Sequence, residues 1–288
     1  MSKPKNRRPV NRLLNRNLYV RTASGAVLLV VVLGAVLLSP YSMLGLMTVL
    51  CAGSMSEFYR IARLTGARPL QYYPVLLGAL LIFLSFCVAT GSLSPGSLVW
   101  LLPPLFALFI VELYRRSETP VANIAWEIAG IVYAALPLAL LAALPVEASG
   151  EDGFAYRPLV VLGIIFIVWA NDVGAYLSGS AFGRHKLFER ISPKKSWEGF
   201  FGGILCAVGV GVLMGWWQNA PLGLWAGAGA VTAVGGVFGD LVESMLKRSA
   251  GIKDSGHAIP GHGGFLDRFD ALILTVPFVY AYFAIFTA

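Results

Sequence analysis

Charged residues are scarce in this 288-residue chain, and their scarcity limits the class of protein it can be. Asp, Glu, Lys and Arg make up 13% of the sequence, whereas hydrophobic residues make up 57% and the mean hydropathy is +0.72. A soluble domain has about a quarter of its residues charged. The composition therefore excludes an ordinary soluble domain and is typical of a membrane protein.

Cysteine is also scarce and has no metal-binding spacing. Cys51, Cys87 and Cys206 lie far apart in apolar segments, so we expect packing residues and neither disulfides nor a zinc site. The sequence has no HExxH, GxSxG, Walker A or Rossmann glycine pattern either. The common signatures of zinc proteases, serine hydrolases and soluble nucleotide-binding domains are thus missing.

Nine apolar segments are candidates for membrane helices, which need about 20 residues to cross ~30 Å of hydrocarbon. The predicted spans are 24–38, 43–58, 73–89, 98–113, 121–144, 159–182, 197–217, 222–246 and 271–287. Only residues 39–42 separate the first two, so a re-entrant hairpin is an alternative there. Pro103, Pro104 and Pro137 predict kinks. We expect an all-α, polytopic membrane protein with about nine transmembrane helices.

Basic residues indicate the orientation of these spans. The first 22 residues carry seven Lys or Arg, no acid and no apolar run, so we expect a cytoplasmic tail, disordered or lying on anionic lipid, and no cleavable signal peptide. With a cytoplasmic N-terminus and nine spans, 21 of the 22 Lys and Arg fall on the cytoplasmic side; Arg157 is the exception. The net charge of +7 therefore reflects topology and attraction to anionic headgroups, and we expect no nucleic-acid partner.

The chain divides into three regions by character. We expect a basic tail at 1–22, N-terminal transmembrane helices at 23–157, with plain apolar spans over 24–144, and a catalytic transmembrane region at 158–288. Carboxylates appear inside the spans of the last region, and its cytoplasmic loops are rich in charge and glycine. No sequence repeat relates the two halves.

Asp172 lies well inside the sixth predicted span, and Tyr176 and Ser180 follow it at helical spacing. An ionisable side chain inside a membrane is costly, so its presence indicates a functional site. The alternative is a structural hydrogen bond to a neighbouring helix.

The loop after this span is rich in cations, among them Arg184, Lys194 and Lys195. Ser192-Pro193 predicts a helix N-cap followed by proline at the first helical position. The two lysines would then lie in the first turn, where the helix dipole disfavours cations, and a bound anion would explain them. The alternative is a loop that only follows the positive-inside rule.

A second polar face lies on the eighth predicted span. It consists of Asp240, Ser244, Lys247 and Arg248, spaced i, i+4, i+7 and i+8. The carboxylate lies deeper in the membrane, and the two cations lie at the cytoplasmic end of the span.

The stretch GHGGFLDRFD brings Asp267, Arg268 and Asp270 to the start of the ninth span. Two acids around an arginine exceed what a helix cap needs, although capping and dipole complementation are the alternative. Carboxylates together with phosphates are the usual ligands of Mg²⁺ in proteins. The arrangement therefore suggests one or two Mg²⁺ ions that assist a phosphoryl-type displacement.

The glycines and the histidine of this stretch have weaker interpretations. Gly263 and Gly264 free the backbone to approach phosphate oxygens, but a flexible loop would use glycines too. His262 has neither zinc-ligand nor triad spacing, and we interpret it as a phosphate ligand or a structural donor. No residue is a strong general base, which suits a nucleophile that is already an anion, such as a phosphate monoester.

At these residues the sequence resembles the phosphatidate cytidylyltransferases, or CDP-diacylglycerol synthases. The family signature, S-x-x-K-R, K-D and H-G-G-x-x-D-R-x-D, is complete between Ser244 and Asp270, and DVGAY, SPKKSWEG and GDLVES upstream also match. Together with the motifs described above, the resemblance implies six catalytic residues: Asp240, Asp267, Asp270, Lys247, Arg248 and Ser244. Substrate-binding residues are Asp172, Arg184, Lys194, Lys195, Ser196, Lys253, Asp254, His262, Gly263, Gly264 and Arg268. Metal ligands are Asp240, Asp267 and Asp270.

The resemblance also implies an activity and a setting. The enzyme would convert CTP and phosphatidic acid to CDP-diacylglycerol and pyrophosphate for phospholipid synthesis, with Mg²⁺, as a homodimer. We expect a multi-pass protein of a bacterial inner membrane with its active site facing the cytoplasm.

Two other functions are alternatives. A CTP-dependent enzyme could use another lipid phosphate. A secondary transporter or channel could relay ions through buried carboxylates, but it would often show paired half-repeats, whereas here the polar groups lie in one half.

Overall fold

The computed structural model describes residues 8–149 and 153–287 and is mainly helical. The helices are α1 (Arg8–Leu38), α2 (Pro40–Leu64), α3 (Tyr72–Ala89), α4 (Leu102–Arg115), α5 (Pro120–Gly130), α6 (Leu136–Ala143), α7 (Pro158–Phe182), α8 (Trp197–Trp217), α9 (Leu222–Ser249) and α10 (Leu266–Phe286). A 3₁₀ segment (Pro95–Leu101) precedes α4, and a π-helical turn (Ile131–Ala135) joins α5 to α6. Two antiparallel hairpins pair β1 (Val146–Ala148) with β2 (Phe154–Tyr156), and β3 (Lys186–Phe188) with β4 (Ser192–Ser196).

Eight stretches within the described residues are helical, long and apolar enough to cross a membrane. They coincide with every predicted span except 43–58, which confirms an all-α, multi-pass membrane fold. Residues 43–58 are helical too, as part of the 25-residue α2, but this helix carries Glu57, Arg60 and Arg63 and is less apolar.

The contacts of α2 at both of its ends favour a full crossing over a re-entrant hairpin. At the turn between α1 and α2, the Tyr156 hydroxyl of the β1–β2 hairpin donates to the Val36 carbonyl at 2.6 Å. At the other end of the same helices, Ser24 donates to the Pro260 carbonyl at 2.7 Å and Arg60 donates to the Ser255 carbonyl at 3.3 Å. Nine crossings and a cytoplasmic N-terminus therefore stay our prediction.

The basic tail predicted at 1–22 is only partly described. Residues 1–7 lie outside the described residues, and from Arg8 onward the segment is the start of α1. The prolines predicted to kink helices lie where helical geometry changes: Pro103 in the first turn of α4 after the 3₁₀ segment, and Pro137 in the first turn of α6 after the π-turn. Proline lacks an N–H and clashes with the preceding turn, so a regular helix does not continue through it.

The N-cap predicted at Ser192-Pro193 is wrong. These residues begin β4, and α8 starts only at Trp197, with Ser196 as its N-cap accepting from the Gly199 N–H at 3.2 Å. The antiparallel pairing with β3 gives this segment its backbone partners. The two lysines therefore lie on a strand, and no helix dipole opposes them there.

Close packing of α9 on α10 sets the position of the polar residues. A Cβ on Gly239 would overlap the backbone of Asp270 and Ala271, and a Cβ on Gly235 would contact Thr275. Small residues at this four-residue spacing let two helix backbones approach closely. As a result, the carboxylates that follow Gly239 on α9 face those at the start of α10.

Candidate active site

Three carboxylates from the facing helices converge at the centre of the site. Oxygen atoms of Asp240 and Glu243 on α9 and of Asp270 on α10 all lie within 4.8 Å of one another. We call these three residues the carboxylate cluster. Glu243 is fully buried, and its Oε1 has no hydrogen-bond partner among the described residues.

Two lysines face the carboxylates. Lys195, from β4, lies with its Nζ 2.5 Å from Asp240 Oδ2 and donates to the Val237 carbonyl at 3.3 Å. Lys247, one turn after Glu243 on α9, lies 2.5 Å from Glu243 Oε2 and 2.7 Å from Asp267 Oδ1. The β3–β4 hairpin and the end of α9 thus bring positive charge to the cluster from two directions.

Asp267 does not join the carboxylate cluster, because donors of the protein occupy its oxygens. Besides Lys247, it accepts from the backbone N–H of Gly264 at 2.8 Å and of Ser255 at 3.0 Å. Its side chain is only 7% exposed. Asp267 therefore holds the loop before α10 and Lys247 at the same time.

Two cavities meet at these acids. The charged cavity, of about 600 Å³, is lined by Asp172, Lys194, Lys195 and Asp240, together with small and aromatic residues of α7 and α8. The apolar cavity, of about 350 Å³, lies among α1, α2, α7 and α10 and is lined mainly by aliphatic side chains. The walls of both cavities include Asp172, Asp267, Asp270 and Ala271.

A third pocket, of about 490 Å³, collects several of the predicted binding residues away from the carboxylate cluster. It is lined by Arg21, Asp254, His257, Ile259, Gly261, His262, Gly263 and Arg268. The His262 Nδ1 lies 2.8 Å from the Ser24 hydroxyl, and the Arg268 Nε donates to the His262 carbonyl at 2.6 Å. Gly263 has φ +88°, a left-handed conformation that favours glycine.

Other predicted residues lie at the margin of the site. Arg248 is exposed and donates to the Ile252 carbonyl at 2.8 Å, so it does not reach the carboxylate cluster. Arg184 and Lys253 are exposed. Ser244 donates to Asp240 Oδ1 at 3.3 Å, and Ser196, on the wall of the charged cavity, caps α8.

The spans predicted as plain and apolar over 24–144 also carry buried acids. Glu57 is 8% exposed, Glu112 1% and Glu127 0%. Sequence reasoning also missed Glu243, although it lies three residues after Asp240 and four before Lys247, on the same side of a helix. This spacing was the available signal.

The π-turn of the N-terminal half packs against α10 and carries a buried polar atom. The Tyr133 hydroxyl is buried without a hydrogen-bond partner among the described residues. Its ring stacks on Phe58, with centroids 5.5 Å apart. Single π-helical turns are frequent at functional sites.

The donor set of the carboxylate cluster fits a hard divalent cation. Together with the neighbouring Asp172 and Asp267, the cluster makes a group of five acids on the cavity walls and at the end of α9, and lysines pair with only three of them: Lys195 with Asp240, and Lys247 with Glu243 and Asp267. Like charges at these separations repel strongly in a partly buried site, so a cation is the natural complement. The buried Glu243 oxygen without a donor is the most direct sign of such a ligand.

The fold and the site together define a class: a polytopic membrane protein with acids and lysines gathered where two cavities meet. Within that class, the model of the cytidylyltransferase family matches residues 19–286. The chain belongs to this family.

Curated relatives match the chain over a shorter stretch. It is 46% identical over 129 residues to a phosphatidate cytidylyltransferase of Staphylococcus epidermidis, covering 44% of the chain and 48% of that protein. It is 42% identical over 132 residues to the one of Staphylococcus haemolyticus, covering 45% and 49%. It is 44% identical over 119 residues to the phosphatidate cytidylyltransferase of Staphylococcus aureus strain COL, and this match covers 41% of the chain and 46% of that protein. The match thus spans about half the length of these relatives.

Proposed function

We propose that this protein is an integral-membrane phosphatidate cytidylyltransferase that converts CTP and phosphatidic acid to CDP-diacylglycerol and pyrophosphate. The observation that carries the proposal is the meeting of the charged and the apolar cavity at Asp172, Asp267 and Asp270. A polyanionic nucleotide suits the first cavity, and a lipid with a phosphate at its polar end suits the second. Membership of the cytidylyltransferase family and the names of the relatives support the same reaction.

The reaction needs little proton transfer from the protein. An oxygen of the lipid phosphate attacks the α-phosphorus of CTP, a new O–P bond forms, and the bond to the β-phosphate breaks to release pyrophosphate. Mutual repulsion of two polyanions dominates the barrier, so positive charge and alignment are the main catalytic means. We assign this task to Lys195 and Lys247, with Lys194 and Arg248 nearer the solvent.

The proposed cation site uses Asp240 and Asp270, with Glu243 as the ligand that the structure adds. Asp267 stays a proposed ligand, although its oxygens hold Lys247 and the loop here. Mg²⁺ bound there would neutralise charge on the pyrophosphate portion of CTP.

Further features of the proposal follow from the resemblance and the charge pattern. The active site faces the cytoplasm, where CTP is soluble, in a bacterial inner membrane, and the enzyme is a homodimer. Arg184, Ser196, Lys253, Asp254, His262, Gly263, Gly264 and Arg268 bind or shape the sites of the phosphates.

Transfer of label from CTP to a lipid tests the proposed reaction. Purified protein in detergent receives radiolabelled CTP, Mg²⁺ and either phosphatidic acid or a polyprenyl phosphate, and nucleotide extracted into chloroform is counted. We expect lipid-soluble label with phosphatidic acid that disappears with EDTA and in Asp240→Asn. If label appears only with the polyprenyl phosphate, the lipid substrate is a polyprenyl phosphate and not phosphatidic acid. If no label appears with either lipid, the proposal is refuted.

A further inference from the structure

Glu57, on α2, is a buried carboxylate that the proposed reaction does not use. It is 8% exposed, and no lysine or arginine within the described ranges forms an ion pair with it. A buried charge without a counter-ion is tolerated only when hydrogen bonds satisfy it. The partners of this carboxylate therefore indicate its role.

Three donors from the segment that leads into α10 satisfy this carboxylate. Its Oε1 accepts from the Phe265 N–H at 3.0 Å, and its Oε2 accepts from the Leu266 N–H and from the Ser255 hydroxyl, both at 2.8 Å. Phe265 is the N-cap of α10 and Leu266 its first residue. Glu57 thus satisfies N–H groups that have no partner within the helix, and its charge complements the positive end of the helix dipole.

The loop leaves room for this one side chain. A Cβ on either Gly256 or Gly264 would overlap the carboxyl group of Glu57. Close approach to Glu57 is therefore a structural reason for glycine at both positions, independent of any phosphate contact.

Ser255 connects Glu57 to the acids of the site. It is fully buried, and its hydroxyl lies within hydrogen-bond distance of Glu57 and, at 3.0 Å, of Asp267 Oδ2. Its backbone N–H donates to the same carboxylate of Asp267, which in turn holds Lys247. A continuous hydrogen-bonded path thus runs from α2 through the loop and α10 to the end of α9.

We propose that Glu57 is a positioning residue of the active site: its carboxylate fixes the start of α10, and with it Asp267 and Lys247, in the arrangement that the reaction requires. It acts through the loop and touches no substrate. The catalytic part of this inference rests on the proposed function, whereas the effect on the loop does not.

Glu57→Gln tests the proposal, with Glu112→Gln as the matched control. Glutamine keeps the shape but places an amide NH₂ where an oxygen accepted, so one of the three donors loses its partner. Glu112 is another buried acid of the same half, bonded to Asn123 and Arg115 and away from the loop. Both proteins are purified in full length and compared by thermal unfolding, hydrogen–deuterium exchange of 255–266 and turnover of CTP.

We expect Glu57→Gln to lower kcat by roughly 10- to 100-fold, as removal of a group that orients ligands usually does, with a smaller change in the KM for CTP. Amide exchange of 255–266 should accelerate in this variant and stay at the wild-type rate in Glu112→Gln. Glu57→Asp keeps the charge and should recover part of both losses.

Three results would overturn the proposal: wild-type kcat in Glu57→Gln, unchanged exchange of 255–266, or an equal loss of kcat in Glu112→Gln at equal thermal stability. If Glu57→Gln does not fold, Ser255→Ala removes only the connecting hydroxyl, and wild-type kcat in that variant counts against the path. If the wild type forms no lipid-linked nucleotide, the proposed function fails by itself, and the exchange data still decide whether Glu57 orders the loop.

Discussion

At the scale of single residues, Asp267 forms the contacts of a capping acid and an ion pair as well, while its role as a metal ligand stays a prediction. It accepts from the backbone N–H groups of Gly264 and Ser255, as a capping acid would, and it also holds Lys247 beside the carboxylate cluster. Asp240 is simpler, because its side chain is 42% exposed to the charged cavity and its ion-pair partner is Lys195. The charge of these acids is the property to test.

Asp240→Asn, Asp267→Asn and Asp270→Asn should each lower CDP-diacylglycerol formation by about 100-fold or more, the scale of losing a main electrostatic contact. Asparagine is nearly isosteric and caps a helix about as well as aspartate, but it lacks the charge that attracts a hard cation. Excess Mg²⁺ should partly rescue the mildest variant. Glu147→Gln, on β1 at the opposite end of α7, is the control. Near-normal turnover in Asp267→Asn at ordinary Mg²⁺ would reduce that residue to a cap.

Lys247 and Arg248 are adjacent but should respond differently to neutralisation. Lys247→Gln leaves Glu243 and Asp267 without their buried partner, so we expect loss of turnover and about 3–5 kcal/mol of stability. Arg248→Gln, at the surface, should cost no more than about 0.5 kcal/mol of stability and lower turnover less. The control is Arg63→Gln. Arg60 is unsuitable as a control because it donates to the Ser255 carbonyl in the loop before α10. CTP turnover and thermal unfolding measure these effects. Equal effects in all three variants would mean that the positive charge of Lys247 and Arg248 reflects only the positive-inside rule and has no role at the site.

At the scale of elements, the β3–β4 hairpin explains a loop that the sequence assigned to a helix. Its second strand delivers Lys195 to Asp240, while Lys194 is exposed on the wall of the same cavity. At the base of the hairpin, the Trp197 N–H donates to the His185 carbonyl at 2.9 Å, and His185 Nδ1 lies 2.7 Å from Glu198 Oε1. The hairpin is thus tied to the start of α8, next to the charged cavity.

Lys195→Gln should raise the KM for CTP by about tenfold, equivalent to losing about 1.5 kcal/mol from one hydrogen bond to a charged group. Lys194→Gln should raise it less, because an exposed cation is screened by water and salt. Initial rates at varied CTP concentrations, at low and at physiological ionic strength, measure both effects. A larger change in Lys194→Gln would mean that the exposed lysine is the one that binds the nucleotide.

At the scale of the whole molecule, the position of α2 decides the topology. It connects the side of the β1–β2 hairpin to the side of the loop before α10, although it alone of the nine predicted spans is not among the described helices that are apolar enough to cross a membrane. Its buried face carries Glu57, so the N-terminal half is part of the structure around the site.

Nine crossings predict that both charged loops are reachable only from the cytoplasm. In a chain whose native cysteines are replaced by serine, Arg190→Cys and His257→Cys should react with a membrane-impermeant thiol reagent only after permeabilisation. Ser94→Cys should react in intact cells, and a reporter after Ala288 should be extracytoplasmic. Labelling of Arg190→Cys or His257→Cys from outside would contradict the placement of the site. We avoid Gly256 as a labelling position, because a side chain there would overlap Glu57.

The sequence by itself determined the features that depend on local patterns. Hydropathy predicted the membrane helices, because each span must bury its own apolar surface in lipid, and helical spacing placed Asp240 and Lys247 on α9. The sequence could also predict that acids of α9 and α10 gather near Asp270, because an ionised side chain in a membrane needs partners.

Only the tertiary structure decided which side chains meet. The bond between Glu57 and the Phe265 N–H joins residues 208 positions apart, and no local pattern records such a pairing. Arg248 contacts the Ile252 carbonyl at the surface while Lys247 reaches the buried acids, because α9 presents the two neighbours in different directions. The β3–β4 hairpin formed where local cap signals favoured a helix, because β3 offers partners to the backbone of this segment at both Ser192 and Ser196, a pairing that the cap pattern does not record.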